Sequence, residues 1–180
     1  MIKNIYSLIS LIALALSVSP AQAEEVFVGG AVNGVDTPFS LDVDERGANI
    51  QIGMRGNPEK ALKAIGSPSL YAFVSLNTED GTDFIAGGLS WHINLAKKLY
   101  VRPGIGIALQ GRTAERFRLS DGERLDLGSA VLFEPELILG FELSKNIAAE
   151  ATWVHISHAR LFGGQNPGID MMGARLVFKF

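Results

Sequence analysis

Between Val131 and Leu143 the chain alternates without a break: Val131, Phe133, Pro135, Leu137, Leu139, Phe141 and Leu143 occupy the odd positions, and Glu134, Glu136 and Glu142 stand among the even ones. A repeat of two residues is the signature of an extended strand whose side chains point alternately to opposite faces. One face of this strand is wholly apolar and the other carries three carboxylates. Any fold that accepts it must bury the first face or turn it to membrane lipid, and find partners for the second.

The pattern recurs. Leu99, Val101, Ile105, Ile107 and Leu109 alternate with Arg102, Gly104, Gly106 and Ala108, and Ile85, Leu89, Trp91, Ile93 and Leu95 oppose Ser90, His92 and Asn94. Ile50, Ile52 and Met54 alternate with Gln51, Gly53 and Arg55; Val26 to Val32 and Leu70 to Leu76 are less regular strands, and Ile147 to Ser157 and Asp170 to Phe180 bring the number to eight. A soluble sandwich would hide the apolar faces and solvate the polar ones, where glycine only weakens a strand. These polar faces are rich in glycine and in charges of both signs, and the strands approach the ~9 to 11 residues of a tilted membrane strand. Both features suit a small membrane barrel, whose inward side chains must fit and pair. Arg102, Arg175 and Lys179 can offset Glu134, Glu136, Glu142 and Glu150. The expected fold is all-β, an eight-stranded antiparallel up-and-down transmembrane β-barrel.

The N-terminus agrees with that address. Lys3 lies in a short polar head, Leu8 to Val18 is apolar, and Ala21-Gln22-Ala23 is a small-residue cleavage site, the build of a secretory signal peptide over residues 1–23. The apolar run is too short to span a bilayer, which takes ~20 such residues as a helix. The remaining 24–180 are expected to form one barrel domain in the bacterial outer membrane. There is no cysteine, which excludes disulfides, thiol nucleophiles and thiolate metal sites. Removing Lys3 takes the formal charge from −3 to −4, and with no basic run there is no case for nucleic acid as a partner.

Short links at Ala96-Lys97-Lys98 and Ser144-Lys145-Asn146 alternate with longer ones at Asp36 to Gly47, Gly111 to Gly128 and Arg160 to Gly168. Short turns belong on the periplasmic side and long loops outside. The segment from Asn57 to Gly66 is expected to form a turn or two of helix, with Asn57 as cap, Pro58 first, Glu59 in the first turn and Gly66 as stop. The Gly111 to Gly128 loop holds four arginines balanced by Glu115, Asp121, Glu123 and Asp126, and is expected to be solvated. His92 faces the lumen among charged groups.

Parity singles out the last two strands. Ala149, Ala151, Trp153, His155 and Ser157 share a face opposite Glu150 and Thr152; Asp170, Met172, Ala174, Leu176, Phe178 and Phe180 share one opposite Arg175 and Lys179. With the charged faces inward, His155, Ser157 and Asp170 all look outward, toward lipid, near the outer interface. A histidine within reach of a serine, with an acid to hold the imidazole, is the arrangement nucleophilic ester hydrolysis needs.

His155-Ile156-Ser157, followed by Asn166-Pro167-Gly168-Ile169-Asp170, resembles the motif of the PagL-type lipid A 3-O-deacylases, or acyloxyacyl hydrolases. The resemblance implies an outer-membrane serine esterase in which Ser157 is the nucleophile, His155 its base and Asp170 the orienting acid. It assigns Asn166 to the oxyanion site, with backbone N–H groups just after Ser157. It implies lipid A of the outer leaflet as substrate and requires no cofactor or metal. The family's acid is commonly glutamate, and asparagine commonly follows the serine where this chain has His158; by parity His158 points away from the triad and is expected to hydrogen-bond at the rim. On this basis glutamate at position 170 should be tolerated far better than asparagine. Phe180, with Phe178, Leu176 and Ala174 alternating before it, looks like the signal read by the barrel assembly machinery. The alternatives are a non-catalytic small barrel with a structural or adhesive role and, less favoured for want of a second lipid site, an acyltransferase. Whether such a barrel forms a homodimer is left open by the sequence.

Overall fold

The structure, a computed structural model, describes residues 23–40, 42–111, 114–159, 161 and 165–180. The expected leader falls outside them except for Ala23, which already pairs with Gly56. The strands are β1 (Ala23–Val32), β2 (Val43–Glu45), β3 (Ala48–Pro58), β4 (Ser69–Asn77), β5 (Phe84–Ser90), β6 (Ile93–Asn94), β7 (Leu99–Gln110), β8 (Arg116–Arg118), β9 (Val131–Glu142), β10 (Ile147–Ile156) and β11 (Ile169–Lys179).

Nine of them form one antiparallel sheet in the order β5-β4-β3-β1-β11-β10-β9-β7-β6, and β5 also pairs with β7, which closes it. Both β5 and β6 lie against β7, so they form one stave interrupted at Trp91-His92, and the barrel has the eight staves expected. First and last strands meet in a regular ladder from Glu25↔Lys179 to Val32↔Met172. Among the described residues no helix is long and apolar enough to cross a membrane; the chain crosses with strands, the other structure that satisfies every backbone group in lipid.

The faces are inverted relative to a soluble protein. Ile50, Ile52, Ile105, Leu137, Leu139, Phe141 and Leu176 are exposed on the outside, while Arg55, Arg102, Glu134, Glu136, Glu150 and Arg175 are buried within. The interior is a packed core, with Phe27, Tyr71, Phe73 and Tyr100 among its largest members. The Arg55 and Arg175 guanidinium groups each lie 4.6 Å from the Phe27 ring centre. Arg55 grips Glu150 with two bonds of 2.9 and 2.8 Å, Arg175 reaches Glu136 at 3.0 Å, and Lys179 reaches Glu142 at 2.5 Å. Arg102 contributes by pairing with Glu25 at 3.2 Å, and the Tyr71 hydroxyl donates to Glu134. His92 is held by Arg102 at 3.0 Å and Asn94 at 3.2 Å.

Two expectations need correction. The helical turn between β3 and β4 is a 3-10 helix over Lys60–Ile65, with Glu59 at its cap. Pro58 is the last residue of β3, paired with Ser69, so it cannot open the helix, and Asn57 instead donates to Glu24. Gly66 does stop the helix, at φ 90°. The 111–128 loop is not simply solvated. Its β8 pairs with β2 of the first loop, Leu125 and Leu127 are buried, and Arg116 is buried 3.1 Å from Glu45. Balanced charge describes a solvated loop and a folded one equally well; a few leucines decide the matter, and they are too sparse to show a period. Arg118 keeps the expected solvated state, paired with Asp121 and Glu123.

Candidate active site

The site lies on the outer wall at the loop end of β10 and β11. Antiparallel pairing places His155 directly opposite Asp170, and opposed residues on one face stand within side-chain reach. Their bond is short: His155 Nδ1 lies 3.0 Å from Asp170 Oδ1. On the other side of the ring, His155 Nε2 lies 2.9 Å from Ser157 Oγ. An ionised carboxylate only accepts, so the proton belongs on Nδ1 and the Nε2 lone pair is left to face the hydroxyl.

Ser157 lies just past the end of β10, yet its backbone is fixed. Val154 pairs with Glu136 and Ser157 with Phe133, which puts Pro135 opposite His155. Proline has no N–H to donate, so the ladder lapses there and resumes at Ser157, whose C=O accepts from Phe133 N–H at 2.7 Å and whose N–H donates to the Phe133 C=O at 3.1 Å.

Orientation relative to the barrel is as parity implies, but exposure is not. Asp170 is 0% exposed and His155 8%, because the first loop crosses over them. Its Thr37 and Ser40 hydroxyls each donate to Asp170 Oδ2 at 2.5 Å, and Phe39 packs against Trp153 and His155, with ring centres 5.5 and 6.0 Å apart. Trp153 Nε1–H donates to Asp170 Oδ1 at 2.8 Å. The acid is roofed by protein and does not face lipid. Trp153 was legible in sequence as a member of the same strand face. Thr37 and Ser40 follow no pattern that ties them to residues 130 positions away.

The Asn-Pro-Gly segment has a physical reading. Gly168 adopts φ 68°, and a Cβ there would lie 2.8 Å from His155 Cε1, so only glycine suits both the backbone and the imidazole. Asn166 Oδ1 accepts the His158 N–H at 3.0 Å. That backbone donor, which follows Ser157 directly, is thereby engaged; the bond orients the Asn166 amide and leaves its Nδ2 as the donor. His158 is buried and its Nε2 lies 2.9 Å from the Gln165 carbonyl, the hydrogen-bonding place that parity suggests.

A sequence model of the lipid A 3-O-deacylase (PagL) family matches residues 69–179. The chain belongs to the lipid A 3-O-deacylase family. Its fold is similar to that in the crystal structure of the outer membrane enzyme PagL, at 16% identity and a TM-score of 0.63 over 87% of this chain and 99% of that one. It is also similar to Neisserial surface protein A, at 11% identity and a TM-score of 0.50 over 87% and 96% of the two chains. No curated protein sequence matches it. Membership in the PagL family and the barrel place the protein in the bacterial outer membrane.

Proposed function

We propose that this protein is an outer-membrane serine esterase that hydrolyses the 3-O-linked acyl chain of lipid A. The observation that carries the proposal is the continuous chain of bonds from Asp170 through His155 to Ser157, at 3.0 and 2.9 Å, on strands of a PagL-family barrel.

Ser157 Oγ attacks the ester carbonyl while His155 Nε2 takes its proton. The imidazolium so formed is stabilised by Asp170, which holds its tautomer and does not itself become protonated. As the tetrahedral intermediate collapses, His155 gives that proton to the departing sugar oxygen and the acyl group stays on Ser157. Water, deprotonated by His155, then releases the fatty acid and restores the hydroxyl. Asn166 Nδ2 is the donor assigned to the developing oxyanion, a role worth about 10²- to 10³-fold in turnover where one such donor has been removed. The substrate is a lipid A molecule of the outer leaflet, presented by the bilayer in which the barrel sits; the Phe180 end is assigned to the assembly machinery.

Mass spectrometry of lipid A from cells with and without the protein tests the reading. Loss of one ester-linked hydroxyacyl chain, abolished by Ser157→Ala at equal protein levels, is the expected result. Unchanged lipid A at good expression would favour a structural or adhesive barrel instead.

A further inference from the structure

From the way Asp170 is enclosed, we infer that Thr37, Ser40 and Trp153 are positioning residues of the esterase: they hold the Asp170 carboxylate in the one plane from which it can orient His155. The inference rests on the triad reading above and adds to it residues that are absent from the His-x-Ser and Asn-Pro-Gly segments. Two of them, Thr37 and Ser40, lie outside the residues matched by the family.

A carboxylate offers about four lone-pair positions. Here four donors fill them: Trp153 Nε1 and His155 Nδ1 at Oδ1, and the Thr37 and Ser40 hydroxyls at Oδ2. His155 alone would leave the carboxylate free to swing about its Cβ–Cγ bond. Donors on the far oxygen stop that rotation. Asp170 is wholly buried and forms no bond to lysine or arginine among the described residues, so neutral donors must also replace the water that its charge has lost.

The hydroxyls are themselves aimed. Thr37 Oγ1 accepts the Phe39 N–H at 3.0 Å, which leaves its single proton for Asp170. The turn is closed by Thr37 N–H donating to the Ser40 C=O at 3.0 Å, and its approach to β11 is fixed by Val35 N–H donating to the Asp170 C=O at 3.2 Å. Trp153 is set by strand register, two residues before His155 and stacked on it with 24° between the rings. An acid one methylene shorter than glutamate therefore sits in a cage built around its length.

The test uses the full barrel in detergent with lipid A as substrate, and an alkyl fluorophosphonate to report the reactivity of Ser157 without reference to lipid A. Thr37→Val with Ser40→Ala should lower kcat by about 10- to 100-fold, the scale of a small misplacement of a catalytic group. KM should stay within about twofold, because binding is not what these hydroxyls serve. Fluorophosphonate labelling should slow by the same factor, and Thr37→Ser in the same background should restore most of the rate. Trp153→Phe, which removes the Nε1 donor while keeping a ring for Phe39 to pack on, should lower kcat in the same manner and keeps the idea testable if the double variant does not fold. Unchanged kcat and labelling, a rise in KM alone, or no rescue by serine would overturn the inference while leaving the triad standing. If Ser157→Ala keeps activity and labelling, it is the triad reading that has failed.

Discussion

The same pair of strands carries two acid–base pairs, one on each side of the barrel wall. On the lumen side Glu150 stands opposite Arg175, and on the outer side His155 stands opposite Asp170. The inner pair does not bond to itself. Glu150 turns to Arg55 and Tyr100, and Arg175 turns to Glu136 and Gln51, because an interior crowded with charge offers each group several partners. The outer pair bonds across its register and is closed off by neutral donors. Inside, a web tolerates loose ends: Arg55 Nε, Arg175 Nη2, Glu134 Oε1 and Glu136 Oε1 have no partner among the described residues. Outside, every lone pair of the acid is used, and the bonds end at the Ser157 hydroxyl. Pairing is redundant on the inner side of this wall; on the outer side it follows a single directed path to Ser157.

Substitutions on the two sides should therefore separate cleanly, turnover outside and stability inside. The largest effect belongs to Ser157→Ala and His155→Ala, each expected to cost on the order of 10⁶ in turnover while the heat-modifiable gel shift of the folded barrel is unchanged. If either variant lost the barrel, the distinction between the two sides would be wrong.

Next is Asp170→Asn, which removes the acceptor for Nδ1–H and favours the wrong tautomer, at about 10⁴-fold in kcat. Asp170→Glu sharpens the comparison. Family resemblance alone makes it benign, but the extra methylene has to displace the Thr37–Ser40 turn from a fully enclosed carboxylate, so a loss of about 10²-fold is expected. Kinetics of matched, folded preparations would show it; a fully active Glu variant would mean that the turn yields.

Arg55→Leu probes the inner side. It leaves Glu150 buried without its two strongest bonds, and breaking such a pair costs about 3–5 kcal/mol. The temperature of the gel-shift transition should fall, while turnover per folded molecule stays near normal. At the small end is Arg118→Ala, in the exposed loop beside Asp121 and Glu123; surface ion pairs contribute little, so neither transition temperature nor kcat should change measurably.

The barrel was legible because alternation is a local property repeated eight times, and because Glu134, Glu136 and Glu150 mark which parity faces in. The same parity sets His155, Ser157 and Asp170 on one outer face. It did not reach what covers them. Strand parity says which way a side chain leaves the wall, not what folds over it, and the roof comes from a loop whose Thr37, Pro38 and Ser40 are ordinary turn residues. The buried Arg116 escaped for a related reason: its partner Glu45 lies on another loop, and only the β2–β8 pairing brings them together. The helix after β3 was misplaced at its start because Asn57-Pro58 is a sound opening in sequence, while the continuing β3–β4 ladder claims Pro58 for the sheet.

The seam between β1 and β11 also joins the two halves of the candidate site. The hydroxyls that roof Asp170 follow the first stave, whereas Ser157, His155 and Asp170 belong to the last two. With the end strands apart, His155, Ser157 and Asp170 would share one hairpin while their roof stood on a distant strand. Closing the seam is what lays Thr37 and Ser40 against Asp170, so the carboxylate acquires its full set of donors only in the closed barrel.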